Sequence, residues 1–226
     1  MTFHIITIFP ELFSDFVKTS LIKRAINNSI IKIKIYDLRK YGLGKRKAVD
    51  SKPYGGGVGM LLRVEPVYNC VKDIKKISPK AVVYILTPKG TLLNQKKILK
   101  ISKKKSIILI CGRYEGFDQR IFNLLKAKPI SIGNFILMGG EVPAMAIIEA
   151  ASRLIPGVLG KTKSSQNESF SCNLLENPQY TLPSKFRNNS VPKILLSGNH
   201  KLIDTWRKEK SIKITKKNRP DLLKKF

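Results

Sequence analysis

The chain has 226 residues, 42% of them apolar, and 43 Lys and Arg against 15 Asp and Glu give a formal charge of +28. That length allows one large domain or a domain with an appendage, and no run approaches the ~18 apolar residues that a membrane span needs. Cys70, Cys111 and Cys172 are odd in number and far apart, which excludes a disulfide framework or a zinc spacing and points to a reducing cytosol.

In chain order, residues 3–9 form an apolar run that reads as a first strand. It has no basic region ahead of it and no cleavage site after it, unlike a signal peptide. Pro10 and Glu11 suit the first turn of a helix, and Leu12, Phe13, Phe16, Val17, Leu21, Ile22 and Ala25 recur at helical spacing. Residues 31–36 alternate apolar and polar as a half-exposed strand does. A polar, glycine-rich stretch follows from 38 to 60. Further on, the patterns predict a helix over 66–77, a strand over 81–86, a helix over 94–102 and a buried strand over 107–111. A helix over 117–125, strand and turn over 129–137 and a helix over 142–154 complete the series. Strands alternating with helices imply an α/β domain with a mostly parallel sheet. The texture changes after Pro156-Gly157: residues 160–173 read as a linker or loop. From 174 the chain is basic and predicted helical, with Asn199 capping a helix through 210 and Pro220 starting a last turn.

Three apolar strands end in glycine-bearing turns: Leu86-Thr87-Pro88-Lys89-Gly90, Gly112-Arg113-Tyr114-Glu115-Gly116 and the stretch 131–143. Ligands of open α/β sheets bind beyond the carboxyl ends of strands, so such turns can wall one pocket with backbone groups. Glu115 in the middle turn either accepts from a ligand hydroxyl or amine, or caps the next helix. The segment Tyr54-Gly55-Gly56-Gly57-Val58-Gly59 lacks the Gly-Lys-Ser/Thr of a phosphate loop. Four glycines in so few residues are still a costly choice unless backbone must pass close to something. The excess of lysine points to a polyanionic partner, most simply nucleic acid. It is equally the mark of an A/T-rich genome loading lysine onto tolerant surface. His4 and His200 are too isolated for a metal site or a triad.

Several motifs occur in a fixed order: Tyr54-Gly55-Gly56-Gly57-x-Gly59-Met60, Cys111-Gly112-Arg113-Tyr114-Glu115-Gly116, Ser131-Ile132-Gly133, Gly139-Gly140-Glu141-x-Pro143-Ala144, Ile155-Pro156-Gly157-Val158-Leu159-Gly160 and Leu195-Leu196-Ser197-Gly198-Asn199-His200. Together they resemble the bacterial tRNA (guanine-37-N1)-methyltransferases of the SPOUT class, over nearly the whole chain. The resemblance implies an α/β domain over 1–160 with a deep trefoil knot, an interdomain loop over 161–173 and a small helical tRNA-binding domain over 174–226. It further implies a cytoplasmic homodimer with active sites at the subunit interface, acting on the tRNA anticodon stem-loop and on neither DNA nor membrane.

By the same resemblance, S-adenosylmethionine is cradled by Leu86, Thr87 and Pro88, by Gly112, Tyr114 and Glu115, and by Ser131, Ile132, Gly133, Asn134, Phe135, Ile136, Leu137, Gly139, Gly140 and Pro143. Magnesium supports the reaction. Asp50, Tyr54, Gly55, Gly56 and Gly57, with Ser197, Gly198, Asn199 and His200, meet the tRNA. Glu168 stands where the family has an aspartate base, and Arg153 matches an arginine that serves guanine O6. Asn134 replaces a usual acid and Phe135 a usual tyrosine. A non-catalytic tRNA-binding protein and a ribose 2'-O-methyltransferase are the alternative readings.

Overall fold

In the computed structural model, which describes residues 1–159, 168–170 and 172–223, the chain divides into two compact units, Met1–Gly160 and Lys161–Phe226. The first is built on a five-stranded, wholly parallel sheet. Its strands are β1 (Thr2–Thr7), β2 (Lys32–Asp37), β5 (Val82–Leu92), β6 (Ser106–Cys111) and β7 (Lys128–Ser131), in the order β2-β1-β6-β5-β7. A two-stranded ribbon, β3 (Asp50–Ser51) with β4 (Leu61–Leu62), stands apart from the sheet.

Parallel strands covered on both faces read as unbroken apolar runs, and β6 does so, from Ile107 to Cys111 all buried. One face packs α2 (Ser20–Asn27), α4 (Gln95–Ser102) and α6 (Glu141–Ser152) over Phe3, Ile5, Ile107 and Leu109. The other packs α3 (Val64–Ile77) and α5 (Arg120–Leu124) over Ile6, Ile85, Ile108 and Ile110. The alternating segment is the edge strand β2, whose Lys32 and Lys34 are exposed.

In the first unit three predicted elements are redrawn. The single helix expected from Pro10 breaks into a 3-10 turn, a short α1 (Ser14–Lys18) and α2, because Thr19 is extended and Ser20 has φ 53°. The turn expected at 86–90 lies within β5 as an irregularity: pairing with β7 shifts between Leu86 and Thr91, both opposite Ile130. The helix expected over 117–125 shortens because the backbone ahead of it is bonded to the ribbon instead. The Glu115 N–H donates to Met60 O (3.0 Å), the Leu62 N–H to Gly116 O (2.9 Å) and the Asp118 N–H to Leu62 O (3.1 Å).

His4, fully buried on β1, is held between the Tyr36 hydroxyl and the Ser78 hydroxyl, each at 3.0 Å. Burial, with Lys34 nearby, lowers its pKa to about 4. The unfolded chain therefore binds this proton first as pH falls. Stability is retained above the ordinary value near 6.5 and declines as pH drops towards 4, by up to about 3 kcal/mol. Urea titrations of wild type and His4→Gln across pH 7 to 4 are expected to show that the variant lacks this part of the slope.

In the second unit, a hairpin of β8 (Lys185–Phe186) and β9 (Asn189–Ser190), with Arg187 at φ 52°, precedes α7 (His200–Asn218). The hairpin was not expected from sequence. Helix α7 runs eight residues past its predicted end at 210. Asn199 caps it as predicted, its side chain accepting from the Leu202 N–H (3.2 Å).

Candidate functional site

The carboxyl ends of β5, β6 and β7 face one cavity of about 310 Å³ in the first unit. It is walled by residues 86–89 after β5, by 112–117 after β6, and by 130–140 with Pro143 from β7 to the first turn of α6. Every cofactor residue expected from sequence lines it except Asn134, and it also includes Lys89, Arg113, Gly116, Phe117, Ile130 and Met138. Arg113, Gly116 and Met138 sit inside motifs already singled out. Phe117 had no signal beyond following Gly116.

The walls come close because glycine lets them. A Cβ on Gly140 would stand 2.6 Å from Cys111 Cα and 2.7 Å from Gly112 N, and the Gly140 N–H donates to Gly112 O at 2.8 Å. A Cβ on Gly112 would meet the Phe117 ring at 2.9 Å. Tyr114 takes φ 57°, a left-handed conformation costly for a non-glycine residue, and is 53% exposed beside the opening. The Ser131 hydroxyl turns the chain locally, donating to Gly133 O (2.9 Å). The lip is apolar and open, with Ile136 79% and Met138 90% exposed.

Beneath the lip is an ion pair with its carboxylate buried and its guanidinium partly exposed. The Glu141 carboxylate accepts from Arg113 Nε (2.9 Å) through Oε2 and from the Thr7 hydroxyl (2.7 Å) through Oε1. Arg113 Nη2 lies 2.9 Å from the same Oε2. Cys111, fully buried next to this pair, has its thiol pushed well up by burial and by Glu141. It stays a neutral thiol and is no nucleophile.

The three bonds from Met60, Leu62 and Gly116 tie the glycine-rich stretch to the 112–118 turn. Tyr54 at its tip is fully exposed, and Gly55, Gly56, Gly57 and Gly59 all have positive φ. A Cβ on Gly59 would come 2.6 Å from Glu115 Cγ and 2.8 Å from its Oε1. So this stretch reaches the cavity at Glu115, and Asp50 lies on the ribbon that carries it.

Arg153 lies elsewhere. It lines a separate cavity of about 520 Å³ with Asp15, Phe16, Glu149 and Leu159. It follows α6, whose twelve residues span roughly 18 Å at the helical rise of 1.5 Å per residue. Glu168 is in the second unit, where its neighbours are bonded locally. The Glu176 N–H donates to the Ser169 hydroxyl (3.0 Å), and Phe170 (φ 75°) stacks under Arg219 at 5.6 Å. Its flanking residues 160–167 and 171 lie outside the described residues. Ser197, Gly198, Asn199 and His200 form the turn that starts α7.

A family model described as tRNA (Guanine-1)-methyltransferase TrmD matches residues 1–225. A protein of Clostridioides difficile (strain 630) named tRNA (guanine-N(1)-)-methyltransferase is 49% identical over 228 residues, covering 100% of this chain and 98% of its own length. A protein of the same name from Dictyoglomus turgidum is 47% identical over 221 residues, covering 98% and 89%. Another from Dehalococcoides mccartyi (strain CBDB1) is 46% identical over 227 residues, covering 100% and 92%. The chain belongs to the tRNA (guanine-1)-methyltransferase family.

In this methyltransferase family member, no helix among the described residues is long and apolar enough to cross a membrane. Among the described residues no three His, Cys, Asp or Glu side chains gather as a metal site.

The second unit of this methyltransferase depends on Thr215, which is fully buried. Its hydroxyl accepts from the Leu175 N–H (2.8 Å) and donates to Ser211 O (2.7 Å). Thr215→Val keeps the shape and strands the Leu175 N–H, at an expected cost of about 1–3 kcal/mol. A lowered melting temperature with unchanged helix content by circular dichroism is the expected result.

Proposed function

We propose that the protein transfers a methyl group from S-adenosylmethionine to N1 of guanosine 37, next to the anticodon, in tRNA. The observation that carries this reading is the convergence of three strand-end loops on one backbone-lined cavity, in a chain of this family. The fit of the cofactor rests on that cavity. Gly112 and Gly140 keep side chains out of it, peptide groups of the 86–89, 112–116 and 131–140 walls can meet an adenosine, and the apolar lip suits the methionine carbons. When bound, S-adenosylmethionine supplies a methyl group made electrophilic by its sulfonium.

The protein's own contribution is to prepare the base. Guanine N1 is protonated at neutral pH, so the Glu168 carboxylate accepts its proton as the methyl transfers. Charge then grows on guanine O6, where the Arg153 guanidinium stabilises it. Glu115 and the glycine-rich stretch beside it hold the extruded base, and surface lysines hold the phosphates. Magnesium, a hard cation that takes oxygen ligands, supports the reaction alongside the RNA phosphates.

The proposal includes a homodimer in the cytoplasm with the active site at the subunit interface. Arg153 stands about one α6 length from the Gly140 wall, so the cavity of one copy is completed by Arg153 of another. The exposed Ile136 and Met138 are apolar surface that a second copy would cover. The reading also includes the trefoil knot, in which the chain after β7 passes under the 86–90 segment. The close backbone approaches of Gly90 to Ile130 and of Gly140 to Cys111 support it.

The test is direct. Purified protein, S-adenosylmethionine and unmodified tRNA transcript are incubated, and the product is digested and mapped by mass spectrometry. One methyl on N1 of the guanine beside the anticodon is expected. A methyl on ribose, or tRNA binding without turnover, overturns the reading.

A further inference from the structure

Four side chains beneath the cavity form a closed circuit. The Phe9 N–H donates to the Thr7 hydroxyl oxygen (2.9 Å), and that hydroxyl donates to Glu141 Oε1 (2.7 Å). Glu141 Oε2 takes both Arg113 Nε and Nη2 at 2.9 Å. The Arg113 guanidinium lies 4.5 Å over the Phe9 ring, which returns the circuit to its start. Arg113 Nη1 also points to Met138 O at 3.4 Å.

The circuit joins the end of β1, the turn after β6 and the start of α6. Its position gives it a task beyond holding the core. Glu141 is 1% exposed, and a carboxylate that deep needs partners for each oxygen. Here the partners are a hydroxyl whose direction is set by a backbone N–H, and a guanidinium whose plane is set by an aromatic face. Neither can turn without breaking a second contact. Arg113 is in the 112–116 wall, while Met138 and Gly139 are in the opposite one. Gly139 has no room for a Cβ, which would stand 2.5 Å from Glu141 Oε2 and closer still to the guanidinium. The two walls are therefore spaced by the circuit.

We propose that Thr7, Glu141 and Arg113 are positioning residues that set the separation of the 112–116 and 138–140 walls and so the affinity of the cavity for its methyl donor. The inference rests on the cofactor reading of that cavity. The peptide groups of the two walls act as a matched set only at one spacing. A relaxed circuit weakens ground-state binding of the nucleoside while the base and the O6 partner, supplied from elsewhere, are untouched.

The experiment compares wild type with Thr7→Val, Glu141→Gln, Arg113→Lys and Arg113→Ala. Thr7→Val removes one hydroxyl and changes no charge. Dissociation constants for S-adenosylmethionine and S-adenosylhomocysteine are measured by calorimetry, and kcat and KM are measured with varied S-adenosylmethionine at saturating tRNA. The expected result is cofactor binding weaker by about tenfold in Thr7→Val and more in Glu141→Gln. KM should rise far more than kcat falls, and Arg113→Lys should lie between wild type and Arg113→Ala. Amide exchange in 112–116 and 138–140 should quicken while that of α3 is unchanged. If Thr7→Val and Arg113→Lys fold and bind both nucleosides as tightly as wild type, the proposal is wrong and the cofactor reading stands. If wild type itself binds neither nucleoside, both fall. If the variants lose kcat and KM equally, or exchange quickens throughout the unit, the circuit is merely structural and the proposal is wrong.

Discussion

Glu168→Ala is expected to slow methyl transfer by about 10²–10⁴-fold, the range typical of a lost general base, with S-adenosylmethionine binding unchanged. The expectation follows from the chemistry of N1, which must lose a proton to become a nucleophile. Glu168 is not among the residues that line the cavity, so removing the carboxylate leaves the cofactor walls intact. Single-turnover rates of wild type and variant at saturating S-adenosylmethionine and tRNA test it. Glu168→Asp is the informative companion. The resemblance to the family implies an aspartate at this position, and a shift near 1 Å can change a rate ~100-fold. A gain in rate would mean that the longer side chain is a handicap, a loss that the surrounding loop has adjusted to it. A Glu168→Ala variant within twofold of wild type would remove this residue from the mechanism.

Gly140→Ala is expected to abolish measurable cofactor binding and to lower stability by about 1–3 kcal/mol, the range for overpacking a tight contact. The added Cβ would sit 2.6 Å from Cys111 Cα, a backbone atom of a buried strand that cannot swing away. Relief requires moving either the Gly112 turn or the start of α6. Both moves open the cavity and stretch the 2.8 Å bond from the Gly140 N–H to Gly112 O. Calorimetric titration with S-adenosylhomocysteine and a thermal melt check the two halves. Tight binding in the variant would show that the walls tolerate displacement.

The sheet and the cavity were legible in the sequence to different depths. Unbroken runs such as Ile107 to Cys111 announce strands covered on both faces, and glycines beyond them announce turns, so three of the walls could be named from pattern. Position along the chain was less legible. The shortening of α5 comes from hydrogen bonds between residues distant in sequence, Met60 with Glu115 and Leu62 with Gly116, which no local window contains. The hairpin at 185–190 was missed because its turn uses Arg187 at positive φ where glycine or asparagine would have signalled it. At the site, Arg113 was quoted only as part of a motif. Its importance comes from Thr7, Phe9 and Glu141, brought together by packing from three separate elements. Asn134 was assigned to the cofactor from resemblance and does not line the cavity, since the chain turns there through the Ser131–Gly133 bond and presents Phe135 instead.

The strand order has a consequence for how the protein is made. β1 lies between β2, which follows it at once, and β6, whose Ser106 pairs beside Thr2. On a ribosome, β1 and β2 emerge early, and the missing neighbour begins only at Ser106, well after β2 ends at Asp37. Such long-range pairing is slow and leaves apolar surface uncovered meanwhile. During that wait Phe3 and Ile5 have one strand partner, and the lysines of β2 guard the outer edge against stray pairing. The nascent chain is thus exposed to aggregation longest at its first strand, so slowed elongation between residues 40 and 106 should lower the yield of folded protein and a chaperone bound over that interval should raise it.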